Sequence, residues 1–376
     1  VIALAVYGIV LGAKAALTWR YISRYPKPRV DIESQPATIC QAILSGDSDL
    51  EDALLSTLVA LPRARFVWLI DADDAEAARI TARLRQLHVE REIIVQSLPA
   101  PADGMNPKLF KLEAARRWVQ NGTFVVLDDD TRLKPESLAA LLQALERCEL
   151  ATGLPFYRDS PHLYGKLLGQ FVNNNSALTY LPLADFVPPV SINGMCYALK
   201  LSTLSQIRGF EPILRHLTDD LAIADRVRSH GGKIVQTPYP QEVATTIDCF
   251  SRYIAQMHRW YVFALLLMRR QGPAMNALIL ALYGVQPLLL AVAMTEAFLF
   301  PSVGQTIAVF GVLLFRAGIL AALQWRFSGM IRHRPFLSIL SELVQSLHLG
   351  HALLVKTIRW RSRHYRVYDN DRFTSV

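Results

Sequence analysis

Residues 123–132 read TFVVLDDDTR. Phe124, Val125, Val126 and Leu127 form a short, unbroken apolar run, the pattern of a strand buried on both faces of a parallel sheet. The run leads straight into Asp128, Asp129 and Asp130. In open α/β sheets ligands bind just beyond the carboxyl ends of strands. Neighbouring carboxylates there ionise with difficulty unless a cation sits among them. If the segment stays extended, its side chains alternate, and Asp128 and Asp130 point the same way. Hard oxygen ligands of this kind suit Mg2+ or Mn2+, with substrate phosphates completing the shell. The alternative is an acidic turn that only caps the next helix, since Asp is a favoured turn residue.

Strands and helices alternate on both sides of this stretch. Upstream, NPKLFKLEAARRWV opens with Pro107 in a helix-starting position. Before it lie the strand EIIVQSL, a helix over about 75–88, and the strand ARFVWLI, which ends in an acidic loop carrying Asp71, Asp73 and Asp74. Earlier still, ATICQAIL reads as a strand, followed by a helix from about Asp49 to Leu61. Downstream, a helix opens near Pro135 and LATGLPF is a further strand. This alternation predicts a mostly parallel sheet. After Thr218, the residues Leu221, Ile223, Ala224 and Val227 fit one helix face, which puts Asp220 at a helix start where a carboxylate stays ionised. Thr218 is a capping candidate there, as Asp73 and Asp74 are for the helix that follows them. In QMHRW at 256–260, Gln256, Arg259 and Trp260 share one helix face, while His258 points elsewhere and reads as an interfacial side chain. YVFALLLMRR then continues as an apolar helix at the membrane surface, ended by Arg269 and Arg270.

The ends of the chain are apolar. Charged residues make up 19% of the 376, below the roughly one quarter usual in soluble domains. The opening stretch VIALAVYGIVLGAKAALTWRYI reads as a transmembrane anchor, in which either Lys14 snorkels towards the interface or the segment spans marginally. Arg20, Arg24, Lys27 and Arg29 follow it, so the positive-inside rule places the next domain in the cytoplasm. Residues 274–300 read as a span in which Pro287 is a tolerable kink, and 305–325 as another despite Arg316. The stretch 336–356 carries Glu342, Gln345, His348 and His351 and has basic flanks on both sides, so it reads as a re-entrant or interfacial helix with a cytoplasmic C-terminus. Its polar side chains are expected to face protein or water, since their spacing does not match usual metal-ligand patterns. The net charge of +8 suits a phosphorylated substrate or anionic lipid. No basic tract interleaved with aromatics appears in the central region, which discounts nucleic acid. Cys40, Cys148, Cys196 and Cys249 form no CxxC pair and read as reduced core residues.

An Asp-x-Asp pair after an apolar strand also occurs in haloacid-dehalogenase-type phosphatases, which want Thr or Val where this chain has Arg132. Read together, however, distant pieces point elsewhere: SGDSDL at 45–50, DADDAEA at 71–77, NPK at 106–108, LDDDTR at 127–132 and TGLP at 152–155. They continue with NGMCYALK at 193–200, TDD at 218–220, QMHRW at 256–260 and IRWRSRHYR at 358–366. In this order the chain resembles a ceramide glucosyltransferase-type member of the family 2 glycosyltransferases, a group that includes bacterial enzymes acting on hopanoids. The resemblance implies a GT-A-like, Rossmann-type α/β domain with a mostly parallel sheet and N-terminal and C-terminal transmembrane helices. The implied division is an anchor at 1–22, a cytoplasmic transferase domain at 30–250, the QxxRW and interfacial helix at 251–272, and a C-terminal membrane region with a basic tail at 273–376.

The resemblance also implies roles for particular residues. Asp71 and Asp74 lie near the donor nucleotide, with Asp74 the closer match. Asp128 and Asp130 hold Mg2+ or Mn2+ against the diphosphate of a UDP-sugar, and Lys108 contacts that diphosphate or a neighbouring acidic group. Asp220 is the general base. Gln256, Arg259 and Trp260 complete the catalytic set, with Arg259 neutralising the departing UDP and Trp260 walling the acceptor. The implied protein is a multi-pass enzyme of the bacterial inner membrane that glycosylates a lipid hydroxyl, ceramide-like or hopanoid-like, with inversion and one sugar at a time. TDD and QxxRW also occur in processive polysaccharide synthases, which need a transmembrane channel that these few spans do not supply. A non-catalytic scaffold with a decayed transferase domain predicts lost acidic positions, and none of the acidic elements is missing. Where the eukaryotic ceramide enzymes have a single Asp at the strand end this chain has DDD, which favours metal binding.

Overall fold

A computed structural model describes residues 2–29, 36–360 and 363–375. The domain boundary expected at residue 30, and Arg361 and Ser362 of the C-terminal motif, lie outside them. In chain order the elements are α1 (Ile2–Arg24), β1 (Ala37–Ala42), α2 (Leu50–Ala60), β2 (Arg65–Asp71), α3 (Ala75–Leu87), β3 (Ile93–Leu98), α4 (Pro107–Ala115), β4 (Thr123–Leu127), β5 (Thr131–Arg132), α5 (Pro135–Ala144) and β6 (Leu150–Tyr157). There follow α6 (Leu163–Tyr180), β7 (Cys196–Lys200), α7 (Leu201–Gln206), α8 (Asp219–Ser229), β8 (Ile234–Val243) and α9 (Phe250–Arg269). The remainder comprises α10 (Pro273–Ile279), α11 (Val285–Leu299), α12 (Val303–Ser328), α13 (Pro335–Leu343), α14 (Gln345–Leu354), β9 (Thr357–Trp360), β10 (Arg363–Asp369) and β11 (Arg372–Ser375).

The main sheet has eight strands in the order β3-β2-β1-β4-β7-β6-β8-β5. Strands β3, β2, β1 and β4 are mutually parallel, as are β6 and β8. Strand β7 runs antiparallel to both β4 and β6, and β5 antiparallel to β8. The expected α/β sheet, mostly parallel, is therefore present, with a reversed strand set into its middle. Period-2 alternation explains why β4 is apolar throughout. Val125 and Leu127 enter the core beneath α2, α3 and α5, while Phe124 and Val126 enter the core beneath α4, α7 and α8. Two such layers require the strand to be buried on both faces. The chain leaves β1 towards β2, whereas β4 lies on the opposite side of β1, so the carboxyl ends of β1 and β4 flank the crevice where open sheets bind ligands.

Helix α6 was not legible as a helix. Its buried face includes Gln170, Asn173 and Asn174, which break the apolar period. Each is satisfied across an interface: Asn173 with the backbone of Tyr157 (2.7 and 3.0 Å), Asn174 with Ser338 (2.7 Å), and Gln170 with the backbone of Arg332 and Arg334 (2.7 and 2.8 Å). Thus α6 joins the carboxyl end of β6 to the C-terminal helices.

Among the described residues three helices are long and apolar enough to cross a membrane: α1, the continuous helix Pro273–Leu299, and α12. The second contains a π turn at Leu280–Gly284, just ahead of Pro287. A proline ring cannot donate to the preceding turn, and a π turn accommodates that lost bond. Lys14 does not snorkel. It is 3% exposed and donates to Leu282 O and Gln286 Oε1, both at 2.9 Å. A neighbouring helix meets its hydrogen-bonding needs, so it has no reason to reach the interface. Arg316 is likewise enclosed, bonded to Glu342 at 2.7 Å and to Ser338 Oγ at 2.7 Å. Removing one partner of such a buried pair costs about 3–5 kcal/mol.

The stretch read as one helix over 336–356 is broken at Val344 into α13 and α14, each too short to cross a bilayer. Its histidines face protein: His348 Nε2 lies 3.1 Å from Tyr253 Oη, and the His351 ring lies 4.3 Å from that of His258, tilted by 44°. The basic tail is folded as well, because β9, β10 and β11 form an antiparallel sheet against α9. Cys40, Cys148 and Cys196 are buried and Cys249 is half-buried, all as free thiols.

Candidate functional site

Helix α4 organises the site. Asn106 caps it by accepting from the amides of Lys108 and Leu109, and Pro107 fixes its first turn. Lys108 and Lys111, three residues apart, then share a face directed at the strand ends. Lys108 Nζ reaches Asp128 Oδ1 at 2.6 Å, Asp219 Oδ2 at 2.8 Å and Gly194 O at 2.8 Å. One ammonium therefore ties the end of β4 to the start of α8, two places 91 residues apart in sequence (219 minus 128). Burial works against this charge, yet Asp128 and Asp219 hold the Lys108 ammonium well above its usual range. Lys111 Nζ bonds Asp71 Oδ1 at 3.0 Å and Ile43 O at 2.7 Å, so it plays the same part for β2 and the loop after β1. Sequence reading missed Lys111, and its signal was the repeat of Lys three residues after the Lys of NPK.

The carboxylates of LDDDTR do not lie on an extended segment. Thr131 N donates to Asp128 O at 3.1 Å, closing a turn in which Asp129 and Asp130 are the central residues. The turn arises because β5 must reverse to pair with β8. Asp129 is buried and accepts from Leu44 N at 2.8 Å, tying β4 to the loop after β1. Asp130 accepts from the hydroxyls of Thr131 (3.1 Å) and Thr245 (2.8 Å). Burial pushes the Asp128 carboxyl up to about 7; Lys108 pulls against this, and the charges of Asp130 and Asp219 add to it. That excess of negative charge is the environment a divalent cation relieves. No three His, Cys, Asp or Glu side chains among the described residues converge into a metal cage. Two carboxylates with diphosphate oxygens make a donor set that suits Mg2+ or Mn2+.

Asp74 is occupied by the protein. Its Oδ1 accepts from Ala77 N at 2.9 Å as the N-cap of α3, and its Oδ2 from Ser45 N at 2.8 Å. It therefore holds the SGDSDL loop as well as capping its helix, and Asp71 is bound to Lys111.

Helix α8 begins at Asp219, as its apolar face predicted, with Leu221, Ile223, Ala224 and Val227 buried. Asp220 Oδ1 accepts from Leu221 N at 2.8 Å. Gly194 makes room for it: a Cβ there would stand 3.0 Å from Asp220 Cβ. Burial, and then the charge of Asp219, hold the Asp220 carboxyl far above the usual carboxylate range. Asp220 in turn helps burial to push up the Tyr180 phenol at the end of α6, beside Tyr283 of the second membrane helix.

On α9, Arg259 Nη2 donates to Gln256 Oε1 at 2.8 Å. Trp260 stacks on Phe171 of α6 (6.0 Å, 25°) and meets Tyr157 edge-on (6.3 Å). Tyr157, at the carboxyl end of β6, feels both Asp130 and Arg259, and so links the β4 turn to the QxxRW helix. It too was missed, although an aromatic at a strand end was visible. His258 is not interfacial. It is 4% exposed, bonded to Thr357 O at 3.2 Å and packed on His351. The reason is that β9 and α14 cover this side of α9. The structure thus brings Lys108, Asp128 and Asp219 together, with Asp220 next in the chain. It bonds Asp130 to Thr245, sets Gln256, Arg259 and Trp260 on α9 with Trp260 against Tyr157, and leaves Asp71 bonded to Lys111 and Asp74 to the amides of Ser45 and Ala77.

A search of curated proteins finds no match. Among solved structures, the mannosyltransferase PcManGT from Pyrobaculum calidifontis, in complex with GDP-Man and Mn2+, is similar with a TM-score of 0.53 at 15% identity, over 94% of this chain and 97% of that one. The likeness bears out the GT-A-like architecture. Glucosyl-3-phosphoglycerate synthase from Mycobacterium tuberculosis, in complex with phosphoglyceric acid, is a looser likeness: TM-score 0.37, 14% identity, 66% of this chain and 87% of that one. In sequence, the model of glycosyl transferase family 21 matches residues 1–373, where the motifs resembled family 2. The chain belongs to glycosyl transferase family 21 and is a glycosyltransferase.

Proposed function

We propose that this glycosyltransferase moves a sugar from a UDP-sugar to a hydroxyl of a membrane lipid, ceramide-like or hopanoid-like, with inversion and without processive extension. The observation that supports the reading is the Lys108 bridge between Asp128 and Asp219, since it joins the strand end read as the diphosphate side to the helix start read as the acceptor side, where Asp220 follows in the chain. Asp71 and Asp74 border the nucleotide, which lies in the crevice between the ends of β1 and β4. Asp128 and Asp130 hold Mg2+ or Mn2+. When bound, such an ion neutralises charge on the diphosphate as it leaves. Lys108 and Arg259 add fixed positive charge to the same end, and electrostatic stabilisation of this kind is usually the largest catalytic contribution.

The acceptor hydroxyl attacks the anomeric carbon from the side of Asp220, which takes its proton. A carboxylate with raised basicity is better suited to this than an ordinary Asp. Trp260, set on Phe171 and Tyr157, offers a flat wall for the sugar or the lipid. Support for a lipid acceptor comes from the end of α6, where Tyr283 of a membrane helix donates its hydroxyl to Thr179 O at 3.0 Å. The proposed division is an anchor at 1–22, a cytoplasmic catalytic domain at 30–250, the QxxRW and interfacial helix at 251–272, and a C-terminal membrane region at 273–376. The basic tail of that region folds back as a small sheet against α9.

The test is Asp220→Asn, which keeps the shape and removes the proton acceptor. Loss of a general base costs about 10²–10⁴ in rate, so lipid glycosylation should fall by at least about 10² while UDP binding in Mg2+ or Mn2+ stays near wild type. If Asp220 only capped α8, Asn would serve nearly as well. Full transfer by the purified Asn variant would hand the role to Asp219.

A further inference from the structure

We propose that Asn370, in the turn between β10 and β11, is a positioning residue for the Asp219–Asp220 pair, so that the C-terminal sheet is part of the transferase site. The proposal rests on the reading of Asp220 as the base. Asn370 is fully buried. Its Oδ1 accepts from both Thr218 N and Thr218 Oγ1 at 2.7 Å, and its carbonyl accepts from Leu217 N at 2.7 Å. A turn asparagine usually sits in water and bonds its own backbone. This one is driven into another element, and its Nδ2 has no hydrogen-bond partner among the described residues.

The consequence falls on α8. Thr218 stands at the N-cap, where its hydroxyl would ordinarily accept from the first turn of the helix. It makes no such bond, and that hydroxyl donates to Asn370 instead. The start of α8 is therefore set from outside the helix. Asn106 grips the same segment from the other side, its Nδ2 donating to His216 O (3.0 Å) and Leu217 O (3.1 Å). Residues 216–218 are held between two asparagines, and the next residue is the Asp219 that Lys108 binds. The sheet carrying Asn370 is itself fixed to the QxxRW helix. Ile358, Tyr365 and Val367 share a core with Val262, Leu266 and Leu217, and Arg269 Nη1 donates to Tyr368 O at 2.9 Å. One small sheet thus sets the spacing between the helix of Arg259 and the acidic pair.

The experiment compares Asn370→Ala, Thr218→Val, Thr218→Ser and the Asn370→Ala/Thr218→Val double variant in the full-length protein. Backbone hydrogen exchange is followed in residues 219–222. Transfer is assayed with UDP-glucose, UDP-galactose and UDP-N-acetylglucosamine on vesicles of bacterial polar lipid. In Asn370→Ala the amides of 219–222 should exchange at least about tenfold faster while those of β4 are unchanged. Its kcat should fall at least about tenfold at unchanged donor KM. Thr218→Ser should behave as wild type, and the double variant no worse than its more severe parent. Thr218→Val keeps the backbone bond, so it reports on the hydroxyl alone if Asn370→Ala does not fold. Unchanged exchange at 219–222, or lowered thermal stability with kcat within about twofold of wild type, overturns the proposal. Asp220→Asn assayed alongside separates the two claims: if it keeps full turnover the base assignment fails, while the exchange data still judge the placement.

Discussion

At the residue scale, one carboxylate sits in surroundings that oppose its charge. Asp220 is held above the ordinary Asp value of about 3.9 by burial first and by Asp219 second. A base works ionised, so turnover should fall as pH drops, with an acid limb displaced upward towards neutrality. The limb belongs to the coupled pair rather than to one group. Asp219→Asn removes the like charge, which makes ionised Asp220 easier to form. The limb of kcat/KM in that variant should therefore move to lower pH; a limb that stays in place or rises contradicts the assignment. The residues that set this environment were only partly legible. Asp128, Asp130 and Asp220 announced themselves as acids at element ends. Lys111, Tyr157 and Asn370 did not, because a helix lysine, a strand-end tyrosine and a turn asparagine each have an ordinary reading.

At the element scale, β4 was readable because it is apolar on both faces, and α4 and α8 because Pro107 and the apolar face after Asp220 mark them. The turn after β4 was not, since nothing in DDDTR says that β5 must fold back onto β8. Helix α6 hid behind its buried asparagines, and the C-terminal sheet behind its arginines, although Ile358, Tyr365 and Val367 follow the period of half-buried strands. The β4 turn carries its own test. Asp128→Asn and Asp130→Asn should each abolish turnover of the nucleotide sugar, and a chelator should do so reversibly in the wild type. Undiminished activity in excess chelator would remove the metal from the mechanism.

At the scale of the whole molecule, the question is how the site meets the bilayer. Basic residues flank α13 and α14 on both sides, with Arg326, Arg332 and Arg334 before them and Lys356 and Arg359 after. The break at Val344 and the Arg316–Glu342 pair agree with a segment that stays on one side of the membrane. A cysteine added at the C-terminus should then resist an impermeant thiol reagent applied to intact cells, and labelling from outside would overturn this topology. Helix α6 runs between β6, through Asn173, and the C-terminal helices, through Asn174 and Gln170, so under the proposed function it is the element that links the catalytic domain to the membrane region. The central claim is the transfer itself, and mass spectrometry tests it most directly. The purified enzyme is incubated with each of several UDP-sugars, a divalent cation and a total lipid extract. The account predicts a single lipid species heavier by one sugar, with inverted anomeric configuration, formed by the wild type and lost in Asp220→Asn. A ladder of soluble oligosaccharides, or donor turnover with no glycolipid from any UDP-sugar, would contradict it.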